Sequence, residues 1–212
     1  MELEDLASAH YGETIWVLGS GPSLNFLSPS FFDDKTTVST NLSAHTLGFV
    51  PDYVFSHYHS VAVGMPAQIA VVTLARDTVT QQEWRGEKPD ELVLIEQDNY
   101  NPPGSSWNPL TTHPPKPYSL AYGSSSLHGS MHLAAWLGAK HIVLVGADCG
   151  FIDDADNVDG YPKGIVAYPH ALYNKHHQLM KQYLQEQYPV KIHSLNPFIN
   201  LNLEGHTFKG VS

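Results

Sequence analysis

Thr14-Ile15-Trp16-Val17-Leu18-Gly19-Ser20-Gly21-Pro22-Ser23-Leu24-Asn25 is the stretch whose reading decides the fold. The apolar run 15–18 is cut off by Gly19-Ser20-Gly21-Pro22, and Leu24, Phe26 and Leu27 then form the apolar side of a short helical segment. That order reads as strand, tight turn, helix start. Glycine lets the backbone come close to an anion, proline suits the first position of a helix, and unpaired N–H groups at a helix start attract negative charge. The stretch therefore predicts a phosphate-binding turn in a nucleotide-using protein.

Outward from this turn, helical and extended patterns alternate. Residues 36–41 are β-prone and end on Asn41, brief helical material follows, and 50–57 supply a third strand with His57, Tyr58 and His59 beyond it. Residues 67–74 and 92–96 are short apolar runs suited to buried parallel strands, with a helix predicted over 79–85. Serines 124–126 precede a small-residue apolar segment that stops at Gly138, which predicts a buried helix. Residues 141–148 form the clearest strand, a Gly- and Asp-rich loop covers 149–167, a helix over 169–187 carries Leu172, Met180, Tyr183 and Leu184 as its stripe, and 190–195 make a last strand. The fold class expected is α/β, a doubly wound, mostly parallel Rossmann-like sheet. Residues 1–212 read as one such domain, and the Pro/Gly/Ser-rich segment 97–122, with Trp107, Tyr118 and Tyr122, reads as an ordered lid loop.

Composition narrows the function classes. The 212 residues carry a formal charge of −10, and this acidity argues against a broad nucleic-acid surface, which needs clustered Lys and Arg. A lone cysteine, Cys149, leaves no intramolecular disulfide and fits a reducing compartment. The acidic start 1–6 lacks a signal-peptide pattern, and no run approaches the roughly 18 apolar residues of a membrane span. A soluble, cytoplasmic protein is expected, with a homo-oligomer left open.

Ligands of doubly wound sheets lie beyond the C-terminal strand ends, which selects Gly19, Ser20 and Gly21, then Asn41, then 56–59, then Gly146 with Asp148, and the serines at 124–126. Each can also serve only as a turn or cap residue. The dinucleotide fingerprint fails, because Leu24 replaces the third glycine and no acidic residue ends the second strand, and Walker A is missing. His128 with His132, and His57 with His59, have spacings that suit metal ligands, yet neither pair has an evident Cys or Glu partner, and hydrogen bonding is the better reading. The run 153–160 fails the register of a calcium loop, with Val158 at a ligand position and Asp159 where glycine should be, and is expected to be a flexible acidic loop. No cofactor and no metal site are implied by these patterns.

The turn 19–24, Ser39-Thr40-Asn41, Pro51-Asp52, the Ser-rich helix start and Leu144-Val145-Gly146-Ala147-Asp148 occur in an order that resembles the MptE-like family. That family includes archaeal 6-hydroxymethylpterin diphosphokinases and flagellin-modifying proteins. The same pieces, with Ser194-Leu195-Asn196-Pro197, are similar to the bacterial sialyltransferases of glycosyltransferase family 42. The resemblance implies a nucleotide or nucleotide-sugar substrate, with a CMP-sugar as donor. Its nucleotide contacts would fall on Gly19, Ser20, Gly21, Ser23, Asn41, Ser125, Ser126, Gly146 and Asp148, although Ser20 stands where an asparagine is usual. It also implies His170, before Ala171, as general base, ahead of His176 or His177, with Tyr161 and Tyr168 steadying the departing phosphate. The diphosphokinase branch is the alternative and would need Mg held by acidic residues, for which Asp52 alone is poor evidence. A non-catalytic nucleotide-binding module is the third reading.

Overall fold

The computed structural model describes residues 1–56, 67–74, 91–96, 120, 125–162, 170–195 and 207–209. Its centre is a seven-stranded sheet built from β1 (Thr14–Leu18), β2 (Thr36–Thr40), β3 (Tyr53–Ser56), β4 (Ile69–Leu74), β5 (Glu91–Glu96), β6 (His141–Val145) and, after a short strand β7 (Phe151–Ile152), β8 (Lys191–Ser194). The order is β5-β4-β3-β2-β1-β6-β8 and every neighbouring pair is parallel. The chain thus winds outward from β1 through β5, then returns to the other side of β1 with β6. That reversal is the topological switch point of a doubly wound α/β sheet.

Alternation along each strand divides the core between the two faces of the sheet. Ile15 and Val17 of β1, Ile142 and Leu144 of β6, Phe55 of β3 and Val71 of β4 share one buried cluster with Met131, Leu133 and Leu137 of helix α2 (Ser126–Trp136) or its cap and with Met180 and Leu184 of helix α3 (His170–Gln187). Helix α1 (Ser43–Leu47) lies on the other side, where Leu18 and Val145 meet Leu24, Phe32 and Ala44. Burying both faces requires continuous apolar strands, which is why 15–18 and 142–145 lack a polar alternation.

The expected strands and the two long helices match these elements within a few residues. After β1 the chain forms a 3-10 helical turn, Pro22–Phe26, with Gly21 as its N-cap and Pro22 at its first position, in place of a regular helix. Two strands were not legible: β7 within the Asp-rich loop and β9 (Thr207–Phe208), which pair in parallel with each other. The expected lid 97–122, except for buried Leu120, and the expected helix 79–85 lie outside the described residues. Among the described residues, no helix is long and apolar enough to cross a membrane.

Candidate functional site at the switch point

Register brings the two glycine-bearing strand ends together. Leu18 lies opposite Val145, so Gly19 and Gly146 leave the sheet side by side. The Gly19 N–H donates to the Val145 carbonyl and the Gly21 N–H to the Gly146 carbonyl, each at 2.7 Å. A Cβ on Gly19 would run into the Gly146 carbonyl oxygen, and one on Gly21 would meet the Asp148 carboxylate. Gly146 itself has φ +65 and lies against Leu24. These glycines therefore serve the close approach of two turns.

Asp148 completes the junction. Its Oδ2 accepts the Ser23 N–H and its Oδ1 accepts the Ser23 hydroxyl, both at 2.7 Å, and both residues are buried. A carboxylate at the start of a helical turn satisfies an otherwise orphaned N–H and favours the local dipole. The anion-attracting end read from the sequence thus holds the protein's own carboxylate, and an external phosphate at the Ser23 N–H would have to displace it.

The remaining candidates divide by exposure. Ser20, Asn41, Ser125 and Tyr161 are half-buried, whereas Ser23, Ser126, Gly146 and Asp148 are buried. Asn41 adopts a left-handed conformation, φ 49, directly after β2; its N–H donates to the Phe55 carbonyl and its Oδ1 accepts the Ser56 hydroxyl at 2.9 Å. Ser125 occupies the N-cap position of α2 without a side-chain capping bond. The start of α2 is tied to the same sheet edge, since Ser130 Oγ reaches Thr40 Oγ1 at 2.7 Å and donates to the Ser126 carbonyl at 3.2 Å. Tyr161 packs against the Leu18, Leu24 and Val158 cluster beside the first turn. His170 is the first residue of α3, but its side chain, like Tyr168, Ser124, His57 and His59, lies outside the described residues.

Sequence reasoning missed Asn157, Val158 and Asn25. The loop expected to be flexible is anchored here: Ser20 Oγ donates to Asn157 Oδ1 at 3.0 Å, the Val158 N–H donates to the Ser20 carbonyl at 2.8 Å, and the Asp159 N–H donates to Asn25 Oδ1 at 2.9 Å. Val158 is buried among Leu18, Leu24 and Val145. A lone apolar residue inside a run of aspartates was the signal for such an anchor.

The histidines of α2 meet α3 and the residue that follows it. His132 pairs with the Tyr188 hydroxyl at 2.7 Å, and burial lowers its pKa to about 3. His128 stacks on His177 with ring centroids 6.1 Å apart; burial, then the neighbouring His177 and His176, holds its pKa well below the ordinary value. Among the described residues, no three His, Cys, Asp or Glu side chains gather as a metal site. Asp52 precedes β3, at the end of the strands opposite Gly19 and Gly146, and its Oδ2 accepts the Thr37 N–H and hydroxyl. Compared with known proteins, the chain matches no family model, no curated protein and no solved structure.

Proposed function

We propose that this chain is a nucleotide-sugar-dependent glycosyltransferase, sialyltransferase-like in its use of a CMP-sugar donor, with the nucleotide bound beyond the ends of β1, β2 and β6. The observation that carries the reading is the meeting of the Gly19–Gly21 turn with Gly146 and Asp148 at the switch point, the place where doubly wound sheets bind nucleotides. The half-buried Ser20, Asn41 and Ser125 are the contacts offered to the ligand, while buried Ser23, Ser126, Gly146 and Asp148 keep the walls in shape. A single phosphate suits this site better than two or three, because Asp153, Asp154, Asp156 and Asp159 stand on the adjoining loop and repel a polyanion.

In this reading His170 removes the proton of the acceptor hydroxyl as that oxygen bonds to the anomeric carbon. The carbon–oxygen bond to phosphate breaks with its electron pair on the leaving nucleotide, and the hydroxyls of Tyr161 and Tyr168 donate hydrogen bonds to that phosphate. An imidazole in its neutral form can accept such a proton.

The test has two stages. Millimolar CMP should raise Tm, because a ligand that binds only the folded state stabilises it; no shift with CMP, UMP or ADP rejects a nucleotide site. Incubation with a panel of sugar nucleotides and acceptors should give a glycoside by mass spectrometry, and His170→Ala should abolish it. Nucleotide binding without turnover supports the non-catalytic module instead, and magnesium-dependent release of AMP from ATP with hydroxymethylpterin supports the diphosphokinase.

A further inference from the structure

Two histidines meet on neighbouring strands at one side of the sheet. His141 opens β6, at the end of that strand away from Gly146, and His193 is the third residue of the edge strand β8. These strands pair in parallel with Val143 opposite His193, so His141, two residues before Val143, shares the face of His193. The backbone beneath them is fixed at both ends of the ladder. The Lys140 and His141 N–H groups donate to the Glu13 carbonyl at 2.8 and 3.3 Å, the Lys191 N–H to the Lys140 carbonyl at 3.0 Å, and the Leu195 N–H to the Leu144 carbonyl at 2.8 Å. His193 is exposed and His141 half-buried, so an ion can reach them, in contrast to buried His128 and His177.

His141 Nδ1 stands 3.4 Å from His193 Nε2. As a hydrogen bond this is loose, beyond the about 2.7–3.2 Å of a well-formed N–H contact. As the bite of a chelate it fits, because two nitrogens held at about 2.0–2.1 Å from a tetrahedral ion lie about 3.3–3.4 Å apart. The rings meet nitrogen to nitrogen, with centroids 5.6 Å and planes 28° apart. Aiming both lone pairs at one tetrahedral apex takes a swing of about 35° per ring, and the second side-chain torsion of histidine has a broad well. Lys191 lies opposite His141 in the ladder, but it is exposed and its flexible stem keeps the ammonium in water. Among the described residues no third His, Cys, Asp or Glu joins such a pair, so these two nitrogens are the ligands they offer and water completes the shell.

We propose that His141 and His193 form a two-histidine site for a divalent transition-metal ion that favours imidazole, such as zinc, and that the ion clips edge strand β8 to β6. The inference does not rest on the nucleotide reading, whose turns lie beyond the other ends of β1 and β6.

Zinc titration of the full chain, stripped of metal and labelled with nitrogen-15, tests it by NMR of the histidine ring nitrogens. His141 Nδ1 and His193 Nε2 should shift together and saturate near one equivalent of zinc. Magnesium, which prefers oxygen ligands, should move neither. His141→Gln and His193→Gln should each weaken zinc binding in calorimetry by about a hundredfold, the loss expected when a linked second contact is removed. His45→Gln, at an exposed histidine of α1, should leave that affinity unchanged. No shift at either nitrogen in millimolar zinc overturns the site whatever the variants do. A shift at only one of the two overturns it as well, since a lone surface imidazole then accounts for the binding. Undiminished zinc affinity in both His141→Gln and His193→Gln does the same, because other histidines then hold the ion.

Discussion

Asp148 holds Ser23 with both carboxylate oxygens, accepting its N–H and its hydroxyl at 2.7 Å each across 125 positions of sequence. The pair joins the turn after β1 to the loop after β6, so this buried polar contact is structural. Asp148→Ala leaves the buried Ser23 amide without this acceptor, and urea unfolding should show a loss of about 2–4 kcal/mol. Ser23→Ala should cost about 1–2 kcal/mol, and the double variant should cost clearly less than the sum. Strict additivity in that cycle would mean that the two side chains do not cooperate.

Gly129 of α2 faces the Phe55 ring so closely that a Cβ would overlap it. Alanine in a helix interior normally gains about 1 kcal/mol over glycine. Gly129→Ala should nevertheless destabilise, by about 1–3 kcal/mol, because the helix must lift from β3 or the ring must leave its well. Phe55→Leu in the same background should recover part of that loss. A rise in Tm for Gly129→Ala alone would contradict the packing.

Burial lowers the pKa of His132 to about 3 from an ordinary 6.5, so the folded chain holds this ring neutral while the unfolded chain can protonate it. The stability linked to His132 is therefore complete above pH 6.5 and declines as pH falls below it, by about 2 kcal/mol at pH 5. His128 and His176, whose values are also lowered by burial first, add to the decline in the same direction. His132→Gln stays uncharged and can still meet the Tyr188 hydroxyl. In urea titrations at pH 7.5 and 5.0, the gap between the two midpoint stabilities should narrow in this variant by about 2 kcal/mol. An unchanged gap would remove His132 as a source of acid sensitivity.

Half-buried Ser20 and buried Ser23 separate binding from folding. Ser20→Ala loses the side-chain bond to Asn157 and should cost about 1 kcal/mol or less, yet calorimetry should show weaker binding of CMP. Ser23→Ala should have the larger effect on stability and the smaller one on binding. The reverse pattern would move the ligand contact from Ser20 to Ser23.

Much of this architecture was legible because parallel, doubly buried strands leave continuous apolar runs. Residues 15–18 and 142–145 announced β1 and β6, and the serines before 126 with Gly138 after Leu137 bracketed α2. The candidate positions Gly19, Gly21, Asn41, Gly146 and Asp148 were legible from a single rule, that ligands gather at strand ends. Strands β7 and β9 were not, because two residues carry no periodicity and their pairing joins positions 56 apart. The anchoring of Val158 was hidden by its acidic neighbours, whose charge suggested solvent on all sides.

The sequence by itself determined the longer strands and the two long helices, the parallel α/β class and the positions of the glycine turns, since these follow from local periodicity and backbone freedom. Only the tertiary structure decided the order of the strands, the meeting of Gly19 with Gly146, the capture of Ser23 by Asp148 and the anchoring of Asn157 and Val158 on Ser20. Those relationships depend on which surfaces face one another after the chain has wound back past β1. A carboxylate that the sequence marks only as polar becomes an internal cap when the sheet sets it 2.7 Å from a particular amide.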